Sequence, residues 1–268
     1  MIELTQISIY PVKSCRGITL TRTELTPYGL MNDRRWMVVD AQGTFLSQRT
    51  LPKMALIETF LSREGLSLKA PGSEPIEIPY VFGKNNTRTI RIWDDTCTAT
   101  DCGDEAGDWL SRFLGVQSRL VTMGEDFERQ VSPKYSTQRD QVGFADAFPV
   151  LLISSASLRD LNERLDLPVP MNRFRPNLVV SGCEPFAEDN WKRIAIGSTT
   201  FTIVKPCARC TVPTVDQMTA TTGDEPLSTL STYRRGEKNA VFFGQNLVNH
   251  QKSGEVVLGS EVQILQQS

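Results

Sequence analysis

Apolar and polar residues alternate through the first fifty positions, where IELTQISIY, GITLTRTEL and RWMVVD each show the period of two that turns one face of a strand toward a core. A polar AQG turn then leads into TFLSQR, and the whole stretch predicts a meander. LSLKA and TRTIRIW continue it, separated by Gly- and Pro-rich turns at a spacing that suits an all-β sandwich or barrel. The first helical period is GDEAGDWLSRFLG, 103–115, with acids in its first turn and Trp109, Leu110, Phe113 and Leu114 on one face. Residues 124–142 are charged and poor in aliphatics, which predicts an exposed loop near a domain junction at about residue 120. Beyond it, FPVLLI reads as a buried strand that feeds the helix of LRDLNERL, with serines placed to cap it. NLVVSG is a strand, and KRIAIGSTTFTIVKP a hairpin turning at Gly197-Ser198, with Phe201 and Ile203 as partners of Ile194 and Ile196. A short helix in PLSTLSTYRRG and strands in VFFGQNLV and EVVLGSEVQIL complete a β-rich α+β chain with a few short helices, divided as 1–120 and 121–268.

Composition narrows the function. With 268 residues, 40% hydrophobic and 22% charged, the chain is long enough for two packed halves, and no window approaches the ~18 apolar residues of a membrane helix. The opening MIELTQISIYPVKS lacks a basic leader and apolar core, so a cytoplasmic location is expected, where the six cysteines (15, 97, 102, 183, 207, 210) stay reduced. A net charge of −2 argues against the broad basic surface of a nucleic-acid binder. The single histidine, His250, removes His-rich metal sites and histidine-dependent nucleophiles unless it takes part itself.

Cations are unevenly placed, in pairs at predicted strand ends and turns: Lys13 and Arg16, Arg34 and Arg35, Arg173 and Arg175, Lys205 and Arg209. Converging at one mouth of a barrel, they would form a positive pocket for a phosphate, with the Ser154-Ser155 helix N-terminus adding backbone N–H groups. Arg35 is expected to point away from Arg34 if DRRWMVV begins a strand. Cys207 and Cys210, three apart in KPCARC, admit several readings. Zinc would need Cys97 and Cys102 to complete four ligands, and a redox pair would need a helix N-terminus where a β-hairpin is predicted. A single thiolate flanked by Arg209 and Lys205 suits the local charges best, with an inert buried thiol as the competitor.

Six ordered motifs, PVKSCRG, GLMNDRRWMVVD, FRPNLVVSG, KPCARCTVPTVD, EPLSTLSTYRR and FGQNLV, resemble the MOSC proteins, in the branch that contains the mitochondrial amidoxime reducing component and bacterial YcbX. The resemblance spans nearly the whole chain and implies a MOSC-type β-barrel preceded by an N-terminal β-barrel-like region. It implies a molybdenum cofactor, a pterin dithiolene whose metal takes one further sulfur from Cys210, leaving Cys207 a bystander. A soft thiolate suits such a metal. The family's phosphate and pterin contacts fall on Lys13, Ser14, Arg34, Arg175 and Asn177, with Ser154, Ser155, Arg209 and Thr211 assigned from their position near the expected pocket. Cys15 and Cys183 are left to packing. The implied activity is reduction of hydroxylamines, amidoximes and N-hydroxylated base analogues, R–NHOH + 2 e⁻ + 2 H⁺ → R–NH₂ + H₂O; the alternatives are a carrier of cofactor or sulfur on Cys210 and, with less support, a zinc-stapled domain. The C-x4-C-x2-C ferredoxin spacing that follows the MOSC domain in YcbX proteins is absent, as are flavin, nicotinamide and haem motifs. The chain is thus expected to be a stand-alone or truncated form. It should need an external donor, ferredoxin-like or a cytochrome/flavoprotein reductase, docking near Arg209 and Arg173.

Overall fold

The computed structural model describes residues 1–80, 86–136 and 140–268. Its largest sheet has eight strands in the order Val262–Gln267, Trp191–Ile196, Thr199–Ala208, Phe242–Asn249, Val150–Ser154, Leu178–Ser181, Glu3–Ile9 and Ile18–Leu20. Every pairing in it is antiparallel except Val150–Ser154 with Leu178–Ser181, whose crossover carries the helix Ser155–Asn162. A four-stranded sheet runs Trp36–Val39, Arg119–Thr122, Asp95–Asp101, Thr87–Ile92, and two three-stranded sheets complete the β-structure among the described residues. With three α-helices among those residues, the fold is the β-rich α+β class that the alternation predicts.

The strand Glu3–Ile9 lies in the large sheet, against Leu178–Ser181, so the start of the chain is built into the sheet otherwise formed from residues beyond 150, together with its neighbour Ile18–Leu20. Leu4, Ile7, Leu152, Leu178, Ile194 and Phe201 pack the core beneath it. A second core collects Val12, Trp36, Met54, Trp109 and Leu110, the last two from the helix Asp104–Leu114. The PVKS loop leaves the end of Glu3–Ile9 and runs between these two cores, as Lys13 N–H donates to Trp36 O at 2.8 Å. That is how the loop is held.

Several expectations need correction. TFLSQR is not a strand: Thr44 and Phe45 make only isolated bridges, and the chain then turns, Thr50 and Leu51 N–H donating to Ser47 O. The 124–142 stretch, of which 137–139 lie outside the described residues, is not simply exposed, because Phe127, Arg129, Val131 and Val142 are buried. The Arg129 guanidinium is admitted to the interior because it is fully engaged, by Asp95 and by the carbonyls of Gly143, Ala145 and Asp146. In the KRIAIG hairpin Ile194 faces Phe201, but Ile196 faces Thr199, and Ile203 pairs with Leu247 of the other neighbouring strand. The strand Asp95–Asp101, DTCTATD, has too few aliphatics to show an alternation, yet its threonines suit a pleated strand and Ala99 and Asp101 are buried.

Candidate functional site

The Thr199–Ala208 strand carries KPCA to its end, so Cys207 still lies within the strand and only Arg209 and Cys210 leave it. Pro206 has no N–H to give, and the register with Phe242–Asn249 slips between Ile203 and Lys205 and again between Pro206 and Ala208. Such bulges re-aim side chains, and here they precede a pocket lined by Cys207, Arg209 and Cys210. Arg209 N–H donates to Val241 O at 2.8 Å, fixing the exit from the strand before the turn Val212–Thr214.

Four other segments reach the same pocket. The first-strand loop supplies Lys13 and Ser14, the following turns supply Arg34 and Arg49, the segment around residue 146 supplies Asp146, and the approach to Leu178–Ser181 supplies Arg175 and Asn177. Ser14, Arg34 and Arg175 all have left-handed backbone, with φ of 67°, 46° and 54°. Non-glycine residues avoid that region, and strain of this kind gathers at sites where the surrounding structure enforces it. The enforcement is visible. Ser14 O accepts from Gln48 Nε2 at 2.7 Å, and Gln48 and Gln217 exchange side-chain hydrogen bonds in the interior. Arg34 donates to Asp33 at 2.6 Å, to Asn177 Oδ1 at 3.1 Å and to Arg175 O at 3.2 Å. Asn177 also bridges Ser8 O and Leu151 N–H, so its amide positions Arg34 while locking two strands together.

Asp146, also in the lining, is shared. Lys13 Nζ donates to it at 2.5 Å and to Phe144 O at 2.8 Å, Arg49 Nη2 donates to it at 2.7 Å, and Trp93 Nε1 lies 3.3 Å away. Confinement alone would raise the Asp146 pKa, but the Lys13 and Arg49 charges and hydrogen bonds outweigh it and hold the carboxyl well below the usual range. Burial lowers the Lys13 pKa, with Asp146 opposing the shift. Arg49 also lies against the Cys210 thiol. Burial opposes the Arg49 charge, yet Asp146 and the Cys210 sulfur together raise its pKa above the ordinary value.

The charges in the pocket do not balance. Five cationic side chains line it, Lys13, Arg34, Arg49, Arg175 and Arg209. Lys13 and Arg49 share Asp146 and Arg34 pairs with Asp33, whereas no ion pair among the described residues serves Arg175 or Arg209. Arg175 donates to Cys15 O at 2.7 Å, but its Nη2 is buried without a partner, and the buried Nε atoms of Arg49 and Arg209 also lack one. Burial brings the Arg175 pKa down to about 10, still charged at neutral pH. Unpaired buried donors are costly, and this set is what an anionic ligand would satisfy.

Of each cation pair marked in the sequence, one member lines this pocket: Lys13, Arg34, Arg175 and Arg209. Their neighbours are used elsewhere. Arg16 binds Glu58 and Gln217 O, Arg35 lies over the Trp36 ring, and Lys205 lies over the Tyr135 ring, so Lys205 does not flank Cys210. Arg173 is buried and donates to Pro213 O, Asp216 and Glu225 O, so it forms no part of an exposed docking rim. Arg209 contacts Cys207, its Nη1 3.2 Å from the sulfur. Ser154, Ser155 and Thr211 are not among the lining residues. At the Ser154-Ser155 helix start a buried carboxylate is already in place, Glu188 Oε1 accepting from Ser154 N–H at 3.0 Å and from Ser157 Oγ at 2.8 Å. Arg49 and Asp146 were not legible as site residues, since SQRT and FADAF carry no pattern beyond a single charge. Among the described residues no three His, Cys, Asp or Glu side chains gather as a metal site. Cys102, buried in the second core, is far from use as a partner for Cys207 and Cys210.

Fold and pocket together define a β-rich protein with a cationic cradle beside a half-buried thiol. The MOSC N-terminal beta barrel domain matches residues 1–117 and the MOSC domain residues 139–263. The chain is 39% identical to mitochondrial amidoxime reducing component 2 of Rattus norvegicus, over 86% of this chain and 72% of that one. It is 33% identical to mitochondrial amidoxime-reducing component 1 of Homo sapiens, over 98% and 83%. A molybdenum cofactor sulfurase of Danio rerio is 38% identical over 92% of this chain but only 32% of its own length. The chain belongs to the MOSC family, with the amidoxime reducing components among its relatives.

Proposed function

We propose that this protein reduces N-hydroxylated compounds such as amidoximes and hydroxylamines to amines, with a molybdenum cofactor held in the pocket and Cys210 as the protein ligand to the metal. The supporting observation is the surplus of positive charge: five cations share two carboxylates around a half-buried thiol, and three buried guanidine N–H donors have no partner. A phosphorylated pterin with a thiophilic metal fits that donor set. Lys13, Arg34, Arg175 and Arg209 would hold the anionic part, Ser14 would add its hydroxyl, and the Cys210 sulfur would bind the metal. The cofactor, when bound, supplies the two-electron redox chemistry.

The chain's own residues then have separable tasks. Arg49, against the Cys210 thiol, places a fixed positive charge beside the proposed ligand sulfur. Asp146 stays ionised and fixes Lys13 and Arg49; with its pKa held down it is a fixed charge and acceptor, not a proton donor. Electrons come from an external donor of the ferredoxin, cytochrome or flavoprotein type, and the protein works in a cytoplasmic, thiol-reducing compartment without contacting nucleic acid. Among the described residues no helix is long and apolar enough to cross a membrane.

The likeness to a molybdenum cofactor sulfurase favours one second reading, a carrier that holds cofactor or sulfur on Cys210 and hands it on. Turnover separates the two. Purified protein made in a host that synthesises the cofactor should reduce benzamidoxime with reduced viologen and show no NADPH-driven turnover alone. Cofactor-loaded protein that turns over neither amidoxime nor hydroxylamine with the dye would favour the carrier.

A further inference from the structure

Arg34 and Arg175 bring two like charges to one buried spot, and both guanidinium groups lie over the same aromatic ring. The Tyr10 ring centroid is 4.3 Å from the Arg34 guanidinium carbon and 4.1 Å from that of Arg175. Tyr10 is itself held on several sides. Its N–H donates to Asp33 Oδ1 at 2.8 Å, the carboxylate that also pairs with Arg34, and its hydroxyl donates to Pro176 O at 3.1 Å, next to Arg175. The ring edge meets Gly17, where an added Cβ would fall 2.5 Å from Tyr10 Cε1 and 2.7 Å from Cδ1. Gly17 therefore leaves the room the ring occupies.

We infer that Tyr10 is the positioning residue of the anion cradle: its ring is the common seat against which both Arg34 and Arg175 rest, leaving the buried Arg175 Nη2 without a protein partner and available to the ligand. Two like charges repel most strongly where water is excluded, and each arginine also has a left-handed backbone, so neither position is one the chain adopts unaided. A π-cloud offers both cations a favourable surface without neutralising them. A carboxylate in that place would pair them and leave the cradle saturated. The inference rests on the reading of this pocket as an anion site.

The test uses the purified full-length chain without cofactor and inorganic phosphate as the probe, read by calorimetry and by the ligand-dependent rise in Tm. Tyr10→Phe, which keeps the ring, should bind phosphate within about threefold of the unaltered protein, and Tyr10→Leu, which removes it, should bind at least about tenfold more weakly. Gly17→Ala, which keeps the tyrosine but crowds the ring, should also weaken binding and remains informative if Tyr10→Leu does not fold. Equal phosphate binding by a folded Tyr10→Leu or by Gly17→Ala would overturn the inference. Loss in Tyr10→Phe as large as in Tyr10→Leu would do so too, since it would assign the effect to the hydroxyl. If the unaltered protein fails to bind phosphate while Arg34 and Arg175 variants behave identically to it, the anion reading of the pocket falls, and this inference with it.

Discussion

Two places among the described residues can be compared as anion sites: one already holds a carboxylate of the chain, and the other has buried donors left over. At the start of the Ser155–Asn162 helix, Ser154 caps the first turn and the Glu188 carboxylate takes the Ser154 N–H and Ser157 hydroxyl. The carboxylate at this helix end is the chain's own, although Glu188 Oε2 is itself buried without a partner. In the pocket beside Cys210, five cations share two carboxylates and buried guanidine donors stay unpaired. The difference teaches that donors alone do not make a binding site; what counts is whether the chain has already supplied their partner.

The largest test of that contrast falls on the thiol. Cys210→Ser replaces a soft ligand with a hard hydroxyl of similar size, and should abolish amidoxime reduction while circular dichroism remains that of the folded protein. Full activity in the folded variant would remove Cys210 from the metal.

Next come the cradle's cations. A charge-assisted hydrogen bond is worth roughly 1.5–3 kcal/mol, so Arg175→Ala or Lys13→Ala should weaken cofactor retention by about 10- to 150-fold. Molybdenum and pterin remaining after extended dialysis provide the measure.

The occupied helix end should behave in the opposite way. Glu188→Ala leaves a buried N–H and hydroxyl without their acceptor, which costs about 1–3 kcal/mol of stability in urea unfolding, and it should leave phosphate affinity in the pocket unchanged. A Glu188→Ala protein with normal stability and altered phosphate affinity would erase the distinction between the two regions. The smallest effect belongs to Cys207→Ser: Cys207 contacts Arg209 from within the strand, and its loss should lower turnover by no more than a few-fold.

How much of this was legible beforehand depended on how local each cause is. Alternation revealed the strands Glu3–Ile9 and Thr199–Ala208 because their inward faces are aliphatic or aromatic, and Trp36–Val39 showed as a short apolar run buried on both faces, whereas DTCTATD gave no such signal. Positive charge at predicted strand ends and turns marked Lys13, Arg34, Arg175 and Arg209, but which member of each pair turned inward was decided by partners far along the chain. Arg173 is held by residues some 40 positions on, at Pro213 and Asp216. The Ser154-Ser155 helix start looked available because Glu188, more than 30 positions away, is not visible from the helix sequence as the acceptor for Ser154 N–H and the Ser157 hydroxyl. Arg49 and Asp146 were missed for the same reason, since each is an ordinary charge until the other is beside it. Tyr10 reads as one more apolar strand position, and its role depends on two arginines brought back by distant turns.

The most direct test of the central claim is the elemental content of the protein purified from a host competent in cofactor synthesis. The account predicts about one molybdenum per chain together with pterin phosphorus, falling to background for the metal in Cys210→Ser. Zinc at one per chain, or neither molybdenum nor pterin in protein whose host fills its other molybdoenzymes, would contradict it.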